Sequence, residues 1–302
     1  MKLIRYKIMQ RQGDNMKLND LFSQKRSSLS FEVFPPKTED GYEVVSEAVK
    51  AIAALSPDYM SVTYGAGGTN AGMATSIATE IQREFGVTSL AHFSCISSTK
   101  ESVREHLENL KAHGIENILA LRGDLPEGFD ASRLEYRYAA DLIAEIKSRG
   151  DFCVGGACYP EGHPESLTLA ADIEAVKRKV DAGCDFLVTQ MFFDNNILYN
   201  YMYKLRDKGI DVPVVAGVMP VVTPKSIKRI CAISGVALPS RFKMILDRYG
   251  DEPEAMKQAG IAYATEQIID LYANGIRAVH VYAMNKPDVA AKIKENLSAI
   301  IQ

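Results

Sequence analysis

The sequence predicts an α/β protein, a single-domain (β/α)8 barrel of the TIM type. Short apolar runs alternate with amphipathic helical runs eight times along the 302 residues. Runs such as Val212–Val218 are apolar throughout, as is typical of parallel strands that are covered on both faces. The competing fold is a doubly wound open sheet, but no GxGxxG loop follows a strand, and Gly65–Gly68 lacks that spacing. The length also suits one barrel.

Each predicted element is bounded by turn residues, and several helices are followed by a glycine stop signal. The predicted strands are Leu29–Phe34, Tyr59–Tyr64, Val87–Cys95, Asn117–Leu121, Phe152–Tyr159, Phe186–Gln190, Val212–Val218 and Ala278–Tyr282. The predicted helices are Glu43–Leu55, Ala71–Phe85, Lys100–His113, Leu134–Arg149, Ser166–Ala182, Ile197–Lys208, Lys225–Ala273 and Asp288–Ile301. The long region Lys225–Ala273 is expected to form three helices, because Pro239 and Pro253 interrupt it.

Composition excludes several classes of function. The net charge is -3 and no long basic block is present, which argues against a nucleic-acid partner. No run approaches the roughly 20 apolar residues that a transmembrane helix needs, so we expect no membrane partner. The five cysteines form no CxxC pair, and no HExxH motif occurs, so no metal site is predicted. Unpaired thiols of this kind are typical of a cytoplasmic protein.

The first 27 residues are expected to be a partly disordered extension, with the barrel domain spanning 28–302. Met16 is a second plausible start, and the 15 residues before it have no apolar periodicity. We therefore expect residues 1–15 to add nothing to the fold.

The first strand carries one acid in an apolar run that Pro35 and Pro36 then end. Side chains alternate along a strand, so Glu32 shares a face with Ser30 and Phe34. One interpretation is a general acid at the mouth of the barrel, with a pKa that burial has raised. The other interpretation is a strand carboxylate that reaches solvent and has no catalytic role.

The carboxyl ends of the other predicted strands are also polar, except the seventh, which is followed by Met219 and Pro220. In a barrel of this type these ends form the active site. The side chains at this rim come from Thr63–Thr69, His92, Arg122–Asp124, Tyr159–Glu165, Thr189–Gln190 and Tyr282–Lys286. Taken singly, each has an ordinary explanation: Gly65–Gly68 as a turn, His92 as a core histidine, or Arg122 and Asp124 as a local ion pair. Taken together, they indicate a site for a polar ligand.

These strand ends, in this order, resemble the methylenetetrahydrofolate reductase family from about Ser30 onward. The motifs that carry the resemblance are Phe31–Lys37, Val62–Gly68, Leu121–Asp124, Tyr159–Glu165, Lys177–Gly183 and Thr189–Asp194. The resemblance implies FAD at the strand ends and NAD(P)H, with NADH favoured, as co-substrate. It further implies a cytoplasmic homo-oligomer that reduces 5,10-methylenetetrahydrofolate to 5-methyltetrahydrofolate by a ping-pong hydride transfer, which supplies methyl groups for methionine synthesis. The alternatives are a flavin-binding scaffold and a reductase that needs an electron-donor partner.

The resemblance also assigns residue roles. Glu32 matches the acid that protonates N10 of the folate, and Asp124 matches an acid beside flavin N1. Contacts to the substrate are assigned to Glu32, Asp124, Gln190 and Lys286. Contacts to the cofactors are assigned to Thr63, Tyr64, Ala66, His92, Arg122, Gly123, Asp124, Tyr138, Ala139, Tyr159, His163, Glu165, Asp172 and Lys179. Two positions depart from the family, since Ile230 stands where bacterial members carry Phe and Lys286 where they carry Arg.

Overall fold

Eight parallel strands close into a barrel in chain order, with β1 paired to both β2 and β8. The structure, a computed structural model, describes residues 16–64, 71–96, 98–124, 134–224, 227, 230, 231 and 234–301. The strands are β1 (Ser28–Val33), β2 (Tyr59–Val62), β3 (Thr88–Ser94), β4 (Asn117–Leu121), β5 (Cys153–Cys158), β6 (Phe186–Thr189), β7 (Val214–Val218) and β8 (Ala278–Val281). The predicted (β/α)8 fold is confirmed.

Helices connect the strands and form the outer layer. In the described residues they are α1 (Leu18–Gln24), α2 (Tyr42–Ala53), α3 (Ala71–Arg83), α4 (Lys100–Ala112), α5 (Ala139–Arg149), α6 (Leu169–Asp181), α7 (Asn195–Asp207), α8 (Ser240–Tyr249), α9 (Pro253–Ala273) and α10 (Pro287–Asn296). None of these helices is both long and apolar enough to cross a bilayer. As predicted, breaks at Pro239 and Pro253 separate the helices between β7 and β8.

Helix α5 begins five residues later than the predicted Leu134. The reason is a cap: the Asp141 carboxylate accepts hydrogen bonds from the backbone N–H groups of Arg137 and Tyr138, each at 2.9 Å. Tyr138 itself has an extended backbone, with φ of -137°. A carboxylate near the first turn thus satisfies N–H groups that would otherwise lack a partner, and it fixes where the helix starts.

Two apolar layers pack against opposite faces of the strands. Outward-facing residues such as Phe31, Ile118 and Val281 pack against the surrounding helices. Inward-facing residues such as Leu90, Phe186 and Val215 fill the half of the barrel nearest the amino ends of the strands. This arrangement leaves the half at the carboxyl ends for polar side chains, as in other barrels of this type.

Helix α1 closes the amino end of the barrel and belongs to the packed domain. Leu18, Leu21 and Phe22 lie on one helical face and are buried with the inward-facing apolar cluster. The Phe22 ring meets the Phe186 ring edge to face, with centroids 5.3 Å apart. Oδ1 of Asn117 accepts a hydrogen bond from the Leu18 N–H at 2.9 Å. The expected domain start at residue 28 therefore needs correction, because α1 packs on the barrel, whereas residues 1–15 lie outside the described part.

Truncating Leu18 tests this packing. We expect Leu18→Ala to lower the free energy of unfolding by about 3 kcal/mol, because it removes a fully buried side chain and leaves a cavity. Urea unfolding followed by far-ultraviolet circular dichroism measures the change. Leu167→Ala is the matched control, since Leu167 is 98% exposed. Equal stability of the two variants would contradict a structural role for α1.

Candidate functional site

Glu32 lies inside the barrel near the carboxyl end of β1, within a buried polar cluster. Its Oε1 accepts a hydrogen bond from the Thr63 hydroxyl at 2.6 Å, and its Oε2 lies 3.8 Å from Nε2 of His280. The His280 ring is in turn held by two serines, with Nδ1 2.7 Å from the Ser30 hydroxyl and Nε2 2.9 Å from the Ser61 hydroxyl. Strand alternation places Ser30 and Glu32 on the inner face of β1, as the sequence predicted.

The expectation of a raised pKa for Glu32 is wrong in this structure. Burial raises the pKa of the carboxyl, but the nearby His280 and His92 rings and the hydrogen bond from Thr63 together lower it below its ordinary value. Desolvation lowers the pKa of His92 to about 4, so His92 carries no charge at neutral pH. The groups that hold Glu32 ionised at neutral pH are therefore His280 and Thr63.

His92 lies on the inner face of β3 and is 7% exposed. Its Nε2 is buried, and the described residues supply no hydrogen-bond partner for it. A neutral imidazole nitrogen either donates or accepts, depending on the tautomer, so this atom suits a polar ligand group of either kind.

The loop after β4 is joined to the loop after β5 by a two-point ion pair. Nη1 and Nη2 of Arg122 lie 2.5 and 2.6 Å from the two carboxylate oxygens of Glu165. The pair thus does not involve Asp124, which lies exposed at the same rim. Gly123 has a φ of +87°, and a Cβ there would lie 2.2 Å from Oγ of Ser94. Only glycine allows this turn, which presents Arg122 and Asp124 at the mouth.

Asp172 and Lys179 lie two turns apart on α6, behind the carboxyl end of β5. Asp172 is 4% exposed, its Oδ1 accepts from the Ser166 hydroxyl at 3.2 Å, and its Oδ2 has no partner among the described residues. Burial raises the pKa of Asp172 and lowers that of Lys179. Nζ of Lys179 donates to the Ala157 carbonyl at 2.7 Å. This region therefore offers an unpaired acceptor and a partly desolvated cation.

Tyr159 and His163, in the loop after β5, contact each other. Their rings meet edge to face with centroids 4.6 Å apart, and Nδ1 of His163 accepts from the Glu165 N–H at 3.1 Å. Burial raises the pKa of Tyr159 to about 12, which keeps its hydroxyl protonated and able to donate.

Gln190 directly follows β6, and its position is fixed through the backbone. Its N–H donates to the Cys158 carbonyl at 2.7 Å, and its own Oε1 accepts from the Met191 N–H at 2.9 Å. Next to it, the Tyr282 hydroxyl donates to the Thr189 carbonyl at 2.6 Å. Tyr282 reaches that far because β7 has Gly217 there, where a Cβ would lie 2.5 Å from the tyrosine oxygen.

Comparison with known proteins identifies the family of the chain. The sequence matches the methylenetetrahydrofolate reductase family over residues 17–298. The 5,10-methylenetetrahydrofolate reductase of Pectobacterium carotovorum is 33% identical over 288 residues, which cover 95% of each chain. The chain belongs to the methylenetetrahydrofolate reductase family. Methylenetetrahydrofolate reductase (NADH) 1 of Arabidopsis thaliana is 35% identical over 298 residues, but the chain spans only 50% of that relative.

Solved structures that resemble the chain share its fold at low identity. An uncharacterized protein from Clostridium thermocellum superposes with a TM-score of 0.63 at 14% identity, covering 95% of this chain and 100% of the other. An oxaloacetate acetylhydrolase superposes with a TM-score of 0.54 at 13% identity, covering 94% of this chain and 84% of the other. At this identity the likeness supports the barrel and nothing more.

Some residues that the family pattern assigns to the cofactor lie away from this cluster. The Tyr64 ring packs edge to face on Phe93 and His106, in the layer between strands and helices. Tyr138 is 56% exposed where α5 begins, and the adjacent Ala139 is buried. Ala66 lies outside the described residues. Ile230 packs on the apolar cluster around Phe193 and Phe242, beside the mouth.

Sequence reasoning missed His280 as a site residue, and it placed Asn285 at the rim without assigning it a role. The sequence did contain a signal for His280: it is the one polar side chain in the otherwise apolar strand Ala278–Val281, and it lies on the same strand face as Tyr282. Asn285 bonds to the main chain of Phe34, just beyond β1, and the sequence did not predict this pairing. All five cysteines are unpaired, and no cluster of metal-ligating side chains occurs in the described chain.

Replacing Thr63 tests the partners of the Glu32 carboxylate. We expect Thr63→Val to lower the free energy of unfolding at about pH 7 by about 1 kcal/mol, because it removes a hydroxyl that stabilises the ionised form. A carboxyl whose pKa is lowered by folding stabilises the folded state at every pH above its unfolded-state pKa. This stabilisation is lost as the pH falls through the folded-state pKa. The deficit of the variant should therefore stay constant from about pH 7 to about pH 5 and shrink only as the pH falls below about 4 in urea titrations.

Thr63→Ser keeps the hydroxyl and is the matched control, with little change at either pH. A Thr63→Val deficit that is independent of pH would show that packing, and not the charge of Glu32, is what Thr63 stabilises.

Proposed function

We propose that the protein is an FAD-dependent reductase that converts 5,10-methylenetetrahydrofolate to 5-methyltetrahydrofolate with NADH as electron source. The observation that carries this proposal is the buried carboxylate of Glu32, held by Thr63 and His280 in the mouth of a barrel of this family. Opening the methylene bridge of the folate needs a proton donor at this place. A scaffold that only held flavin would have no use for such a group.

The described residues fit a bound FAD. Asp172 offers a buried carboxylate oxygen without a partner, which suits a sugar or ribityl hydroxyl, and His92 offers a buried ring nitrogen without one. Arg122, Tyr159 and Lys179 supply donors along the same rim, and we assign them to the polar edge and the phosphates of the cofactor. Bound FAD would supply the site that first accepts and then donates a hydride.

Glu32 has to change protonation state during turnover. In the ligand-free protein its pKa is low, so the carboxylate needs to take up a proton before it can donate one. Glu32 is only 6% exposed, so a folate bound against it would remove the last of its contact with water, and desolvation raises the pKa of a carboxyl. In this proposal the folate itself converts Glu32 into an acid, whereas NADH does not require the conversion.

The other rim residues orient the two substrates. We assign Gln190 to the pterin ring, because its position is fixed by backbone hydrogen bonds and a carboxamide both donates and accepts. Asp124, exposed at the rim, places negative charge near the cofactor. Lys286 precedes α10 and supplies one positive charge for a folate carboxylate. The Clostridium thermocellum protein of similar fold binds two copies of 5-methyl-5,6,7,8-tetrahydrofolic acid, so a barrel of this fold can accommodate a folate.

Replacing Glu32 by Gln separates the two half-reactions. We expect Glu32→Gln to bind FAD and to be reduced by NADH at a rate within about twofold of the unsubstituted protein. Reoxidation by methylenetetrahydrofolate should slow by about 100-fold or more, because the amide gives up no proton. Anaerobic stopped-flow absorbance of the flavin measures both steps.

Glu80→Gln is the control, since its carboxylate bonds Ser46 and Tyr42 on the helical layer. Rapid reoxidation of the Glu32→Gln flavin would contradict the role of Glu32. A purified protein without flavin, or one that NADH does not reduce, would contradict the proposed function as a whole.

A further inference from the structure

The seam between β1 and β8 continues beyond the strands through a side chain. Backbone pairing of the two strands runs from Ser28 opposite Ala278 to Phe31 opposite Val281. Three residues after Phe31, just beyond the end of β1, the Phe34 N–H donates to Oδ1 of Asn285 at 2.8 Å. Nδ2 of Asn285 donates to the Phe34 carbonyl at 2.9 Å. The carboxamide thus imitates one rung of a β-ladder, with both bonds made to a single residue.

The position of this rung matters because of the residues that follow. Pro35 and Pro36 have no N–H groups, so Phe34 is the last residue of this segment that can donate a backbone hydrogen bond. Phe34 stands two residues after Glu32 and shares its face of the strand. The Asn285 carboxamide is therefore an anchor for the chain immediately beyond the proposed proton donor.

The loop that presents Asn285 is held in an uncommon backbone conformation. Met284 and Asn285 have φ values of +55° and +53°, in the left-handed region. Asparagine tolerates this region better than other residues with a side chain, and glycine adopts it without cost. The turn is closed on both sides, since the Ala283 N–H donates to the Val281 carbonyl at 2.9 Å and the Lys286 N–H donates to the Ala283 carbonyl at 3.0 Å.

We propose that Asn285 is a positioning residue that fixes Glu32 at the height required for proton transfer to the folate. The inference rests on the proposed function. Thr63 and His280 contact the Glu32 carboxylate itself, and the hydrogen bonds of Asn285 to Phe34 fix the end of the strand that carries it. Loss of the rung leaves the flavin site intact, so the effect falls on the folate half-reaction.

Asn285→Gly tests this role, because glycine keeps the left-handed backbone and removes only the two hydrogen bonds. We expect reduction of the flavin by NADH to stay within about twofold and reoxidation by methylenetetrahydrofolate to slow about tenfold, as the loss of two hydrogen bonds of ordinary strength suggests. Hydrogen exchange of a peptide covering residues 28–34 should become faster. Asn285→Asp has the same shape but turns an oxygen toward the Phe34 carbonyl, and we expect it to be slowed as well.

Asn274→Gly is the matched control, because its carboxamide donates to the Asp270 carbonyl at 2.9 Å at the opposite end of the barrel. It should alter neither half-reaction. Unchanged folate reduction in Asn285→Gly, equal slowing of both half-reactions, or unchanged exchange of residues 28–34 would each overturn the positioning role. An unsubstituted protein that NADH reduces but methylenetetrahydrofolate does not reoxidise would refute the proposed function, and the positioning role with it.

Discussion

An ionised carboxylate inside a closed barrel is the constraint on which the half of the barrel at the carboxyl ends of the strands depends. A buried charge is costly unless hydrogen bonds and opposite charge compensate for the water it has lost. Glu32 accepts a hydrogen bond from Thr63 on the neighbouring strand end, and Nε2 of His280 lies 3.8 Å from its carboxylate across the β1–β8 seam. His280 in turn needs Ser30 and Ser61, so four strand positions around one carboxylate are committed to polar residues.

The half of the barrel at the amino ends of the strands is apolar, and it keeps water away from the polar cluster. Tyr59 marks the boundary: its ring stacks on His280 with centroids 5.6 Å apart and also packs with the apolar cluster around Phe186. Below it, α1 covers the amino end with Leu18 and Phe22. Closing that end excludes water from beneath the polar cluster. The interactions around Glu32 are therefore stronger than they would be in an open pore, because the local dielectric constant is low.

The sequence was sufficient for the fold because local signals repeat eight times and agree with one another. It also located the rim, since the strand ends are sequence positions. What it lacked was pairing across long separations: His280 lies 248 residues from Glu32, and this distant group helps to reverse the predicted direction of the pKa shift. One interpretation of the sequence paired Arg122 with the adjacent Asp124, whereas the fold brings Glu165 to it. The seven-residue helix α1 was missed because its apolar face consists of only three residues.

A site that receives two different substrates in turn must be selective in when it donates a proton. Were Glu32 an acid in the ligand-free protein, its proton would be available equally to either substrate. In the proposed function, a low pKa keeps Glu32 ionised until a folate bound against it removes its remaining contact with water, so protonation would become a consequence of folate binding. This requires that the carboxylate stay in place while its environment changes. The Asn285 rung, fixed to the backbone and carrying no charge, is suited to that task because its hydrogen bonds are independent of pH.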